Sequence, residues 1–222
     1  MAVKGESPLG PTPHPLKIFD TCRRQDKFLY ACAPMVRYSK VPLTSSPPLS
    51  ISRYFVFLVP EMAPKLTMNK LAFRQTVHQY GTDLCWTPMI LAKEFNRNEF
   101  ARDSDLTVST KHPQPPTILQ FGANVPVELA RASSLAAPFV AGVDLNCGCP
   151  QSWACAETLG AALMDKRELV RDMVVETRER LRQDGWGVLM EEDVENPRGR
   201  SVSVKIRVHD DLRHVLRSST GA

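Results

Sequence analysis

VAGVDLNCGCP, residues 140–150, joins an apolar run to a turn built from Asn, Cys, Gly and Pro. Residues 140–145 read as a buried strand, because a short continuous apolar run bounded by turn residues suits a strand covered on its faces. At Asn146 the pattern breaks, and the backbone must turn so that side chains project over the end of a sheet. Runs of the same kind recur at residues 28–35, 84–89, 117–121 and 202–206. Helical patterns lie between them. The clearest covers residues 166–182, where Leu169, Val170, Met173, Val174, Thr177 and Leu181 share one face while Arg171, Asp172, Glu176, Arg178, Glu179 and Arg180 fill the other. Further helices are expected over 71–80, with Asn69 as a cap, and over 127–135, after Asn124.

Strands alternating with helices give a parallel sheet, either open and doubly wound or closed as an eight-stranded barrel. Polar and functional side chains gather at the strand C-termini, at Met35 and Val36, at residues 87–89, at 120–124 and at 146–149. That is the face where barrel enzymes place their chemistry. The expected fold is α/β, a TIM-type (β/α)8 barrel that is incomplete, with about the first five strands present. Residues 1–27, rich in Pro, Gly, Lys and Arg, read as a disordered, mobile leader, and 28–212 as the partial barrel. Residues 41–70 interrupt it as an inserted segment with Pro42, Pro47, Pro48, Pro60 and Pro64, far longer than the usual connection of about 2 to 6 residues. Its β-prone run at 51–59 reads either as a lid or partner surface or as an aggregation liability. Residues 213–222 form an atypical tail.

The chain of 222 residues is 43% hydrophobic and 23% charged, an ordinary globular composition. A net charge of +4 favours the approach of a polyanion, but the basic residues are dispersed rather than gathered into a stripe. The six cysteines have no framework-like spacing and the N-terminus has no secretory pattern, which points to reduced thiols in an intracellular protein, cytoplasmic or nuclear. No apolar run approaches the roughly 20 residues that span a bilayer, so no membrane partner is expected. There is no G-x-G-x-x-G, no G-x-x-x-x-G-K-[ST] and no H-E-x-x-H, which removes support for nucleotide hydrolysis and for the common zinc proteases.

In the turn at 146–150, a thiol with an ordinary pKa near 8.5 is mostly protonated at neutral pH, so it can donate a proton to a carbanion or be activated as a nucleophile. Both roles remain open on the residues alone. Zinc is the competing use of Cys147, Cys149 and Cys155, but a Cys-x-Cys pair lacks the usual gap and no second pair closes a tetrahedral site. Cys22, Cys32, Cys85 and Cys155 read as small buried apolar residues. Lys205 lies within a strand between Val204 and Ile206, so its ammonium must reach water or meet an anionic partner such as a cofactor. His209, Asp210 and Asp211 read as a solvated loop.

CAPMVRYSK (32–40), LAFR (71–74), DLCWTPMI (83–90), ILQFGAN (118–124), GVDLNCGCPQ (142–151) and SVKIRVHDDL (203–212) together resemble, in order, the tRNA-dihydrouridine synthases, in particular the dihydrouridine synthase 4-like branch. The resemblance implies an FMN-binding barrel that takes electrons from NADPH and reduces the C5–C6 double bond of uridines in tRNA. Matched to the family's N-x-GCP motif, Cys149 is the proton donor to C5, with Cys147 as its neighbour, and Asn146 holds the target uracil. By the same match Pro34, Met35 and Val36 line the isoalloxazine ring, Gln120 bonds its polar edge, and Lys205 meets its electron-rich side. No metal is implied. The chain departs from the family at the 41–70 insertion and after VHDDL, where the family continues into further strands, an HGR histidine, phosphate-gripping glycine loops and a tRNA-binding helical domain. A partner or chaperone for the incomplete barrel is therefore expected, and two alternatives stand beside the family activity: an inactive truncated variant, and a flavin barrel that reduces a free pyrimidine.

Overall fold

The computed structural model describes residues 12–33, 70–99, 102–103, 106–109, 115–189 and 192–207. Strands β1 (Ala31–Cys32), β2 (Leu84–Trp86), β4 (Thr117–Gly122), β5 (Gly142–Cys147) and β6 (Ser201–Ile206) lie side by side in that order, and β3 (Ile90–Leu91) also pairs with β4. All of these pairings are parallel. Helices α2 (Lys70–Gln79), α3 (Ala92–Arg97), α4 (Pro126–Ala136), α5 (Ser152–Ala156) and α6 (Arg167–Gln183) connect them. The sheet curls as a half-barrel, the incomplete (β/α)8 barrel that the strand–helix alternation predicts.

Strand side chains alternate between two faces. Leu119 and Phe121 of β4 and Val143, Leu145 and Cys147 of β5 point to one face, where they join Leu129, Ala132 and Ala136 of α4 and Met173 and Leu181 of α6 in the core. Leu169 and Val170 pack against its margin, so the expected apolar stripe of this helix is the one used. Thr177 sits in the same stripe, fully buried, with its hydroxyl Oγ1 lacking a hydrogen-bond partner. Replacing it by Val removes that stranded hydroxyl at almost constant shape. Thr177→Val is expected to raise the unfolding free energy by about 1 kcal/mol; an unchanged or lower urea midpoint would sink the idea.

Three local expectations are corrected. The run at 84–89 does not form one strand, because Pro88 has no N–H for the ladder. From Trp86 to Ile90 the chain advances four residues while β4 advances three, from Ile118 to Phe121. The result is a bulge, and the Thr87 hydroxyl repairs the ladder by accepting from the Gln120 N–H at 3.0 Å. Asn124 does not cap α4: the cap position falls on Val125, and Asn124 Nδ2 instead donates to the Glu157 carbonyl at 2.7 Å. Asn69 and the inserted residues up to it lie outside the described residues, as do residues 1–11 and the tail.

The third concerns the leader, where α1 (Pro15–Arg24) forms. Pro15, Ile18, Phe19 and Cys22 recur there at helical spacing, and the ends add to its stability. His14 Nδ1 accepts the Leu16 N–H at 3.2 Å, Pro15 presets the first turn, and Arg23 and Arg24 occupy the last turn, where the helix dipole favours cations. The cap residue is itself buried near the loop that leads into β6, and burial there holds the His14 pKa below its ordinary value, against the opposing charge of Asp193. Lys17 pairs with Glu195 in that loop. Arg200 anchors the same end of the sheet: Nε donates to the Ala137 carbonyl and Nη1 to that of Gly199, both at 2.8 Å, and the guanidinium stacks 4.3 Å from the centre of the Trp186 ring. Burial pushes its pKa down to about 10.

Candidate active site

On the face of the sheet opposite the helix-packed core the strands present polar groups. Register decides which of them meet. Asp144 stands opposite Gln120 of β4 on one side and Ser203 of β6 on the other, and Asn146, two residues on and therefore on the same face, stands opposite Lys205. Gln120, Asp144 and Asn146 are 5%, 2% and 7% exposed, so their polar atoms must be satisfied within the protein.

They are satisfied by one continuous chain. Ser203 Oγ donates to Asp144 Oδ1 at 2.7 Å, and Gln120 Nε2 donates to Asp144 Oδ2 at 2.7 Å. Gln120 Oε1 accepts from Asn146 Nδ2 at 2.6 Å. Asn146 Oδ1 then accepts the backbone N–H groups of both Gly148 and Cys149, each at 2.9 Å, in an Asx-type turn that reverses the chain past the end of β5. Burial raises the Asp144 pKa above the ordinary carboxylate value; the Ser203 and Gln120 hydrogen bonds and the Lys205 charge pull the other way.

The Cys149 thiol is half-buried in this turn. A second loop fixes its main chain: Ala161 N–H donates to the Cys149 carbonyl at 2.8 Å, and the Cys155 thiol lies 3.7 Å from the same oxygen. Gly160, at φ +61°, packs directly against it, since a Cβ there would fall 2.5 Å from the Cys149 oxygen and 2.7 Å from its Cβ.

Cys147 has a different fate. Its parity places it with Val143 and Leu145, and its thiol is 1% exposed in the core between sheet and helices. Burial and the Asp144 charge push its pKa up to about 12, which keeps it a neutral thiol. Cys147 therefore belongs to the core, whereas Cys149 lies in the turn past the strand end. Among the described residues no group of three His, Cys, Asp or Glu side chains is placed to hold a metal ion, and no helix is long and apolar enough to cross a membrane.

Of the residues singled out from sequence, Gln120, Asn146 and Cys149 come together in the hydrogen-bonded chain, and Lys205 stands exposed beside it on β6. Pro34, Met35 and Val36 lie outside the described residues, as do His209, Asp210 and Asp211. Asp144 and Ser203 were not anticipated. Their signal was parity: Asp144 and Asn146, like Ser203 and Lys205, are polar residues two apart in runs that are otherwise apolar.

The sequence model of the family described as Dihydrouridine synthase (Dus) matches residues 61–215. The Mus musculus protein named tRNA-dihydrouridine(20a/20b) synthase (NAD(P)+)-like is 46% identical over 159 residues, which cover 72% of this chain and 44% of that protein. Its Homo sapiens namesake is 45% identical over the same length, covering 72% and 45%. The Schizosaccharomyces pombe tRNA-dihydrouridine(20a/20b) synthase (NAD(P)+) is 47% identical over 112 residues, covering 50% of this chain and 33% of its own length. The chain thus spans less than half the length of these curated relatives.

Proposed function

Because the chain belongs to the dihydrouridine synthase family, we propose that it carries the C-terminal sheet edge on which a tRNA-dihydrouridine synthase reduces uridine to 5,6-dihydrouridine, with FMN as cofactor and NADPH as electron donor. The observation that carries this reading is the joining of Gln120, Asn146 and the Cys149 turn by hydrogen bonds at one strand edge, with Lys205 alongside. The donor set suits a flavin. Gln120 Nε2 uses one hydrogen on Asp144 and keeps a second for a ring heteroatom, and the exposed Lys205 ammonium supplies a cation for the side of the ring that gathers negative charge. Pro34, Met35 and Val36 would complete the ring's bed.

When bound, reduced FMN supplies a hydride to C6 of the uracil. The protein's part is to hold the base and to deliver the proton. Asn146, whose Oδ1 accepts the Cys149 N–H, orients the uracil, and Cys149 donates its proton to C5. A thiol suits that step, being protonated at neutral pH and acidic enough to give the proton up.

The first test is the visible spectrum of the full chain after gel filtration, with and without added FMN. A flavin band co-eluting at about one per chain is the expected result, and NADPH should bleach it. Absence of any retained flavin at micromolar FMN would overturn the cofactor assignment for this chain. Reduction of free uridine in preference to tRNA would move the substrate to small pyrimidines.

A further inference from the structure

We propose that Asp144 is a positioning residue, whose carboxylate terminates and sets the direction of the hydrogen-bond chain that orients the Cys149 turn. The proposal rests on the reading of Cys149 as the proton donor, and it adds to the site two residues, Asp144 and Ser203, that touch no reacting atom.

The argument is one of donors and acceptors. At one end of the chain stand the Gly148 and Cys149 backbone N–H groups, which can only donate. Asn146 must therefore turn its oxygen toward them and its NH2 toward Gln120. Gln120 in turn receives that NH2 on its oxygen and points its own NH2 at residue 144. Each primary amide passes the polarity on unchanged. The chain can close only on a group that accepts, and an ionised carboxylate accepts on both oxygens, leaving one for Gln120 and one for the Ser203 hydroxyl. Without an acceptor at residue 144 the Gln120 NH2 is stranded in a buried site, and a half-satisfied buried network is worse than none. Gln120 would then rotate away, Asn146 would lose its brace, and the Cys149 turn would loosen.

Asp144→Asn discriminates this role from bulk packing. An Asn there can still offer its oxygen to Gln120 and turn its NH2 to Ser203 Oγ, so the direction survives; Asp144→Leu keeps the branching and the count of side-chain heavy atoms, though it is bulkier, and removes the acceptor. The measurement is the site-resolved rate of alkylation by iodoacetamide, read by mass spectrometry on the full chain without FMN or tRNA. Buried Cys85 and Cys147 serve as internal reporters of folding. Expected are at least a tenfold rise at Cys149 in Asp144→Leu with Cys147 still protected, and a rate within about twofold of wild type in Asp144→Asn. An unchanged Cys149 rate in the Leu variant, or an Asn variant as perturbed as the Leu one, would overturn the proposal. Should Cys147 react as fast as Cys149 in Asp144→Leu, Gln120→Met takes its place. It breaks the same chain one link further on, and the same rise supports the proposal while an unchanged rate refutes it. Because nothing is turned over in this experiment, its outcome is independent of whether the chain binds flavin.

Discussion

Cys149→Ala is expected to lower the single-turnover rate of tRNA uridine reduction by about 10²- to 10⁴-fold, the usual contribution of a placed general acid, while bound flavin per chain stays unchanged. The split follows from where the thiol sits. Its backbone is tied to Asn146 and to Ala161, and neither tie uses the side chain, so Ala should leave the turn in place and remove only the proton. Cys147→Ala is the matched control. That thiol lies in the apolar core, so its loss should cost stability by about 1 kcal/mol and leave the rate nearly intact. Equal losses in the two variants, or a full rate in Cys149→Ala, would remove the assignment of the donor.

Gly160→Ala carries the second large effect. At φ +61° any side chain costs about 1 kcal/mol or more, and this one would also press on the Cys149 oxygen and Cβ, both closer than carbon atoms can approach. The turn must shift. Misplacing a reacting group by about 1 Å can cost about 10²-fold, so turnover should fall by roughly that factor although residue 160 touches neither base nor cofactor. Gly81→Ala separates the two causes, since Gly81 has φ +89° but open space around its missing Cβ. It should pay the conformational penalty alone. If thermal midpoints fall equally in both variants and turnover falls in neither, the packing of Gly160 on Cys149 has no bearing on chemistry.

Much of the barrel was legible because its strands are mostly apolar: β4 and β5 are buried on both faces and read as apolar runs with isolated polar residues. The same apolar character hid the site. Asp144 is flanked by Val143 and Leu145, and only the register against Gln120 and Ser203 shows that its carboxylate has partners from both neighbouring strands. Cys147 and Cys149 look alike in NCGCP, and the motif alone does not separate them. Strand parity does, since Cys147 continues the alternation of Val143 and Leu145 while Cys149 lies past the strand end. Pro88 announces the break in the run at 84–89, but its repair by the Thr87 hydroxyl needs the neighbouring strand to be seen. Helix α1 was missed because the Pro-, Gly- and basic-rich composition around it outweighed a short helical pattern at Pro15, Ile18, Phe19 and Cys22, and its cap and contacts remote in sequence have no period.

Those remote contacts order events in time. Lys17 meets Glu195, 178 residues further along, and His14 settles beside Asp193 and Arg200. During synthesis α1 is made before the strands. It has nowhere to dock until the loop before β6 has followed, after four of the five side-by-side strands. Its docking on that loop is a late event in folding, of the slow kind that long-range contacts impose. Until then a helix made before every strand of the sheet waits for its place.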